Sequence, residues 1–435
     1  MKENVDVLIV GSGVSGLYTA LNLNENLNVL VICKEEMKCT NTFLAQGGIS
    51  VARGKDDIES FVRDTYRAGQ YENDEKAVQV LVEESRDSID ELIKLGVDFD
   101  KNEDGTLNYT KEGAHSINRI VHTKDNTGES VERVLIDRVK EKKNIRVYEY
   151  TTLIDIIEKN NKCIGAIVVK DNRQLNIFAK CVILATGGIG GLYSNSTNQR
   201  SLKGDGLSIA YKHGVEVKDV EYVQIHPTAF YEENNEERKF LISESVRGEG
   251  GILTNIHGKR FIDELLPRDV VSKAIYKEME RTKSSYVYLD IRFLGEEYIK
   301  NRFQMIYRKC LEKGTDITKE LIKVAPAQHF FMGGIKVNLN SQTSMENLFA
   351  VGETSCTGVH GKNRLASNSL LEGLVFSRRA ACTINKTIKD IKQDVIEVAD
   401  LKKDLYDLCK ENEYTARNIV ENYGGKSYDQ LLSCG

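Results

Sequence analysis

The chain has 435 residues, with 60 Lys and Arg against 65 Asp and Glu, and a formal net charge of −5. Charges of both signs are interspersed and no basic stripe occurs, which argues against nucleic acid or another polyanion as partner. The length allows two or three domains with a large core, no apolar run approaches the ~18 residues of a membrane span, and no signal-peptide pattern opens the chain, so a soluble, cytoplasmic protein with no membrane partner is expected.

The first predicted elements form a βαβ unit. An apolar run over residues 5–10 feeds into Gly11, Gly13 and Gly16 of a GxGxxG word, a helix follows from Leu17 to about Leu23, and Asn28–Cys33 reads as the second strand. In that context the first glycine permits the tight turn, the second lets backbone approach a pyrophosphate, and the third lets helix and strand pack closely. The helix start presents N–H groups to the phosphates. A polar loop with Gly47 and Gly48 comes next, and residues 57–97 have the period of a two-helix insertion. The stretch 98–130 has no clear period and carries Glu112, His115, Arg119 and His122. A helix is predicted near 129–141, then a meander of strands at 145–150, 152–157, 163–169 and 175–179, turning at Asn160-Asn161 and Asp171-Asn172.

Residues 180–188, Lys-Cys-Val-Ile-Leu-Ala-Thr-Gly-Gly, return to a buried strand ending in a glycine turn, where ligands of doubly wound sheets lie. Residues 220–330 change character, with short strands and helices near 270–281 and 316–323. Buried-strand patterns resume at Gly333 and at Asn347–Glu353. The expected fold is therefore α/β: a Rossmann-like dinucleotide domain from residues 1–219 and 332–390, an α+β capping domain at 220–331 that interrupts it, and a short helical tail at 391–435.

Nine cysteines, at 33, 39, 163, 181, 310, 356, 382, 409 and 434, include no CxxC pair. They read as reduced thiols, with neither zinc nor an iron–sulfur cluster indicated and no metal site expected. The only prolines, Pro227, Pro267 and Pro326, each lie within three residues of a His or Arg considered below. Proline fixes its own φ and restricts its predecessor.

Longer words narrow the function: Ala45-Gln-Gly-Gly-Ile49, His226-Pro-Thr, Arg247-Gly-Glu-Gly-Gly, Arg268-Asp-Val-Val-Ser, Arg364-Leu-Ala-Ser-Asn-Ser-Leu-Leu and Val351-Gly-Glu. In this order they resemble the succinate dehydrogenase/fumarate reductase flavoprotein superfamily over roughly residues 5–390, and within it the L-aspartate oxidases. The resemblance implies FAD held by Gly11, Ser12, Gly13, Val14, Ser15 and Gly16, by Lys34, Asn41, Thr42, Gln46, Gly47 and Gly48, and by Ala185, Thr186, Gly187, Asp205, Glu353, Ser369 and Leu370. The dehydrogenases attach FAD through a His five residues before the Gln of the AQGG word. Here that residue is Asn41, so non-covalent FAD is expected. Lys34 replaces the usual acidic ribose ligand, with Glu35 beside it.

The segment Lys111–His122 is similar to the aspartate-oxidase segment whose Glu faces the substrate ammonium, which makes Glu112 the residue separating aspartate from succinate or fumarate. A dicarboxylate needs fixed cationic or hydrogen-bonding donors. By resemblance these are His226, His329 and Arg364, with Ser243 and Glu244 added and Arg268 as the proton-transfer residue. The implied reaction is hydride and proton removal from L-aspartate to give iminoaspartate, with oxygen or fumarate as acceptor. The product would pass to quinolinate synthase in NAD biosynthesis. The alternative on the same scaffold is a soluble fumarate reductase.

Overall fold

The computed structural model describes residues 1–233 and 237–423. Its central sheet runs, in spatial order, Ile145–Tyr148, Val29–Ile32, Lys2–Val10, Arg173–Leu184, Lys162–Lys170, Thr151–Lys159. The first four strands are parallel, and Val7, Leu8, Ile9 and all of Val29–Ile32 are fully buried, as expected where helices cover both faces. The strand predicted at 145–150 is thus no part of the meander. Helix Thr127–Glu141 crosses over and returns the chain parallel to Val29–Ile32.

The strand Arg173–Leu184 changes partner midway. Its first half pairs antiparallel with Lys162–Lys170, and Val182–Leu184 pairs parallel with Leu348–Ala350, so chain from beyond residue 340 completes the sheet begun at residue 2. Sequence split this strand at Lys180. The lysine stays in it because its Nζ pairs with Asp6 Oδ1 on the neighbouring strand at 2.8 Å. The turns at 160–161 and 171–172 fall where predicted. All four residues have φ between +50° and +58°, the conformation of a two-residue I′ hairpin.

Residues 57–97 form three helices rather than two, Lys55–Ala68, Glu75–Glu83 and Ser85–Leu95. The break follows from Ser85, whose Oγ donates to Val82 O at 2.6 Å and accepts from Ala52 N at 3.0 Å. The segment 111–122 is tied to the first of these helices by Arg119. Its fully buried guanidinium reaches Asp57 Oδ1 at 2.8 Å and Asp64 Oδ2 at 2.5 Å and holds both carboxyls below their usual range, although burial alone would raise them.

A second, antiparallel sheet runs Val223–Phe230, Ile322–Phe331, Val287–Asp290, Ile252–Thr254, with helix Arg268–Thr282 against it. The predicted helix at 316–323 is a turn leading into the strand from Ile322, and two helices absent from the prediction, Glu296–Arg302 and Gln304–Glu312, precede it. Phe230, Leu289 and Val324 belong to this sheet's own apolar cluster. Val223, Ile225 and Phe331, at the other ends of the strands bearing Phe230 and Val324, pack into the core under the central sheet. The two longest strands therefore pass from one core into the other. The tail has no regular secondary structure over 391–404 and is helical at Leu405–Tyr423, and the remainder of the tail, with Cys434, lies outside the described residues. No helix among the described residues is long and apolar enough to cross a membrane.

Candidate active site

Gly11 has φ +117°, and a Cβ there would lie 2.1 Å from Ala185 O. A Cβ on Gly16 would lie 2.0 Å from Gly11 O. Gly16 packs against the Gly11 turn and does not itself line the cavity, whereas every other residue expected to hold cofactor or substrate lines one cavity. Helix Val14–Asn22 opens onto it, with Val14 N bonded to Thr42 Oγ1 at 3.1 Å.

On one wall Lys34 Nζ meets Asp205 Oδ2 at 2.6 Å and Ser201 O at 3.3 Å, and Glu35 accepts from Ser201 Oγ at 3.0 Å. Burial would lower the Lys34 ammonium, but Asp205 raises it on balance. Asn41 is held by Asn198 Oδ1 at 2.8 Å and Gln199 N at 3.0 Å. Glu353 accepts from Phe331 N at 3.0 Å, and burial pushes its carboxyl up to about 7. The cavity walls retain unmet hydrogen-bonding capacity: Gln46 Nε2 donates to Leu241 O at 2.8 Å while its Oε1 is buried without a partner among the described residues, as are His226 Nε2 and Arg364 Nε. A glycine-lined helix start, a polar wall and orphaned groups are what a dinucleotide cofactor and a polar substrate would satisfy.

The residues expected to meet substrate converge from six segments, strands Val223–Phe230 and Ile322–Phe331, helices Glu244–Gly248 and Arg268–Thr282, and the loops carrying Glu112 and Arg364. His226 and His329 sit at irregularities in one strand pair: Gln224 pairs with Phe330 and Ile225 with Gln328, skipping His329, and pairing slips again after His226 at Pro227-Thr228. Bulges re-aim side chains, and the two imidazoles meet edge to face with centroids 5.0 Å apart. His226 Nδ1 accepts from Thr228 N at 3.2 Å, which leaves the ring proton on Nε2. His329 Nδ1 meets Thr197 Oγ1 at 2.8 Å. Arg268 begins its helix directly after Pro267. Its Nε donates to Glu244 Oε2 at 2.5 Å and its Nη1 to Gln224 Oε1 at 2.8 Å, and Nη2 has no partner among the described residues. Arg364 stacks over Phe330 at 4.5 Å and donates to Ser369 Oγ at 2.9 Å.

Buried and crowded, these groups shift one another. Burial, with Arg268 next, lowers both imidazoles well below their ordinary value, and the same two causes push Arg364 down to about 9. Glu112, bonded by Ser367 Oγ at 2.6 Å, is raised by burial and by Glu244. Glu244 is lowered despite burial, because Arg268 and Arg247 stand beside it. Ser243 lines the cavity, and its Oγ also caps a short helix by accepting from Ser245 N at 3.3 Å.

Sequence reasoning missed Gln224, Arg247, Thr197 and Ser367. Arg247 is fully buried between Glu244 and Glu264 O, and it stood inside one of the diagnostic words. Ser367 likewise stood inside the Arg364–Leu371 word, and the other two carry no distinguishing spacing.

The FAD binding domain family matches residues 6–370. Over its full length the chain is 55% identical to L-aspartate oxidase of Clostridium perfringens and 52% identical to that of Clostridium acetobutylicum, covering 98% and 100% of those proteins. The chain belongs to the L-aspartate oxidase family. Family membership makes it an FAD-dependent oxidoreductase of the succinate dehydrogenase/fumarate reductase flavoprotein superfamily. A point variant of the FrdA chain of E. coli quinol fumarate reductase has the same fold, with a TM-score of 0.85 at 29% identity over 98% of this chain and 77% of that one. The match to the two clostridial proteins includes the helical tail.

The cavity electrostatics predict a neutral imidazole at His226. On 15N-histidine-labelled protein, NMR at pH 6 is expected to show its Nε2–H tautomer, below an unperturbed value of ~6.5 where an ordinary His is mostly protonated. An imidazolium signature there would contradict the arrangement.

Proposed function

We propose that the chain oxidises L-aspartate to iminoaspartate with non-covalently bound FAD, and that electrons leave to oxygen or fumarate. The observation that carries this reading is Glu112, a buried carboxylate among the groups suited to grip a dicarboxylate. A carboxylate has no favourable role toward succinate or fumarate, whose carbons offer it only hydrogens, whereas the α-ammonium of aspartate is its natural partner.

When bound, FAD supplies the acceptor for the hydride that leaves Cα. Gly11–Ser15, Lys34, Asn41, Thr42, Gln46–Gly48, Ala185–Gly187, Asp205, Glu353, Ser369 and Leu370 would hold it. Arg364 and His329 grip one carboxylate of the substrate, and His226, with Ser243, grips the other. A neutral His226 donates from Nε2, which meets its orphaned hydrogen-bonding need without adding a second charge. Glu112 orients the ammonium. Loss of a proton from nitrogen accompanies hydride loss from Cα, and Arg268 relays that proton: its Nη2, open to the substrate, takes it as its Nε gives one up to the Glu244 carboxylate 2.5 Å away, so the guanidinium stays singly charged.

In this reading residues 1–219 and 332–390 hold the cofactor, 220–331 close over the substrate, and 391–435 form a tail. The product goes to quinolinate synthase in NAD biosynthesis. The setting is cytoplasmic, which suits the eight free cysteines among the described residues.

Non-covalent attachment is expected because Asn41 offers no nucleophilic ring nitrogen. Acid precipitation should leave the yellow flavin in the supernatant, and flavin retained in the pellet would refute it. Glu112→Gln removes a hydrogen bond between charged partners, generally worth ~1.5–3 kcal/mol. It should lower kcat/KM for L-aspartate by roughly one to two orders of magnitude, with fumarate reduction less affected at equal FAD occupancy. An equal fall in both activities would make Glu112 merely structural.

A further inference from the structure

The Lys34 wall of the cavity is thin. It is formed by Ser201, Leu202 and Asp205, on the loop and first turn leading into helix Asp205–Lys212. Leu202 packs on Gly187, and a Cβ on Gly206 would lie 2.2 Å from Thr186 Oγ1, so this turn is pressed from inside against the Ala185-Thr186-Gly187 turn.

From outside it is pressed by the tail. Helix Leu405–Tyr423 buries Ala416, Ile419 and Val420 in the same apolar cluster as Leu207, Ile209 and Ala210. Ala416 Cβ stands 3.1 Å from where a Cβ of Gly204 would be. Glu413 Oε2 accepts from Lys203 Nζ at 2.8 Å. Buried Asn412 accepts from Lys212 Nζ at 2.6 Å and donates to Ile154 O at 3.2 Å, locking the helix both to Asp205–Lys212 and to strand Thr151–Lys159. Thr151, Thr152 and Leu153, at the start of that strand, also line the cavity, whereas no residue of the tail helix does.

We infer that the C-terminal helix is a cofactor-retention strut: Asn412, Glu413 and Ala416 are positioning residues that hold the 201–205 turn, and with it the Lys34–Asp205 pair, against bound FAD. In βαβ dinucleotide folds the end of the second strand meets the ribose, and here that place is taken by Lys34 and its partner Asp205. The pair can serve the cofactor only if the turn carrying Asp205 stays in place. The turn has its own contacts on one side and the tail on the other. The inference rests on the cofactor assignment alone.

The test is FAD release on dilution of the holoenzyme, followed by flavin fluorescence with no substrate present, so that its failure leaves the reading of the substrate site intact. Asn412→Ala leaves the Ile154 carbonyl and Lys212 without their partner and should raise the FAD Kd roughly tenfold. Lys203→Met should raise it by roughly threefold, as loss of a part-exposed pair does, and Lys203→Arg should restore it. Tyr414→Ala, an exposed position on the same helix, should leave it unchanged. Unchanged FAD release from folded Asn412→Ala would overturn the inference, as would equal loosening by Tyr414→Ala. If Asn412→Ala does not fold, the Lys203 pair decides, and equal release from Lys203→Met and Lys203→Arg overturns it.

Discussion

Six ionisable side chains, Arg268, Arg364, His226, His329, Glu112 and Glu244, line one cavity, all buried except the half-buried His329, with buried Arg247 beside Glu244, and they cannot all carry charge there without partners. Desolvation is the dominant force on each group whose ionisation is shifted, and neighbouring charges decide the outcome. The imidazoles resolve the conflict by staying neutral. Glu244 resolves it by standing between two guanidiniums, and Arg268 by taking Glu244 and Gln224 as partners. Among the described residues His226 Nε2 and Arg364 Nε at this cavity remain without a hydrogen-bond partner, and in the proposed reading they and the Glu112 carboxylate are the complement of an amino dicarboxylic acid. The site is preorganised in the sense that its donors are fixed before a ligand supplies the missing bonds.

The fold meets this constraint by chain routing. The strands bearing His226 and His329 pass between two apolar cores, so the imidazoles sit at the seam rather than inside either core. Bulges on both strands turn the rings toward each other, and Pro227, which lacks an N–H, stands where the ladder is already interrupted. The Glu112 segment is irregular and would be poorly determined alone. Arg119 anchors it through two aspartates, and His115 Nε2 bonds Ala366 O at 2.9 Å, next to the Ser367 that holds Glu112. A buried ion pair of this kind is weak evidence for stability and better evidence for a unique conformation.

Much of this was legible because the chemistry demands particular residue types in short runs. A backbone that must approach Ala185 O so closely requires Gly11, and two successive Asn or Asp-Asn residues were enough to place both hairpin turns. The residues that escaped notice are those whose role is set by a distant partner. Gln224 is an ordinary strand glutamine until Arg268, Asn363 and Arg364 come to it, and the bulge at His329 exists only in register with a strand about a hundred positions earlier. Lys180 looked like a strand boundary because the Asp6 that pairs with it is far away in the sequence. The helices at 296–312 were missed because each is short and its apolar stripe is carried by few residues, chiefly Ile299, Ile306 and Cys310.

The central claim, that this cavity takes hydride from an amino dicarboxylate, is tested most directly by the flavin spectrum of the FAD-loaded protein under anaerobic conditions. Adding L-aspartate should bleach the oxidised flavin band, and succinate at the same concentration should leave it unchanged over the same interval. Faster bleaching by succinate than by L-aspartate would contradict the account and place the chain with the fumarate reductases.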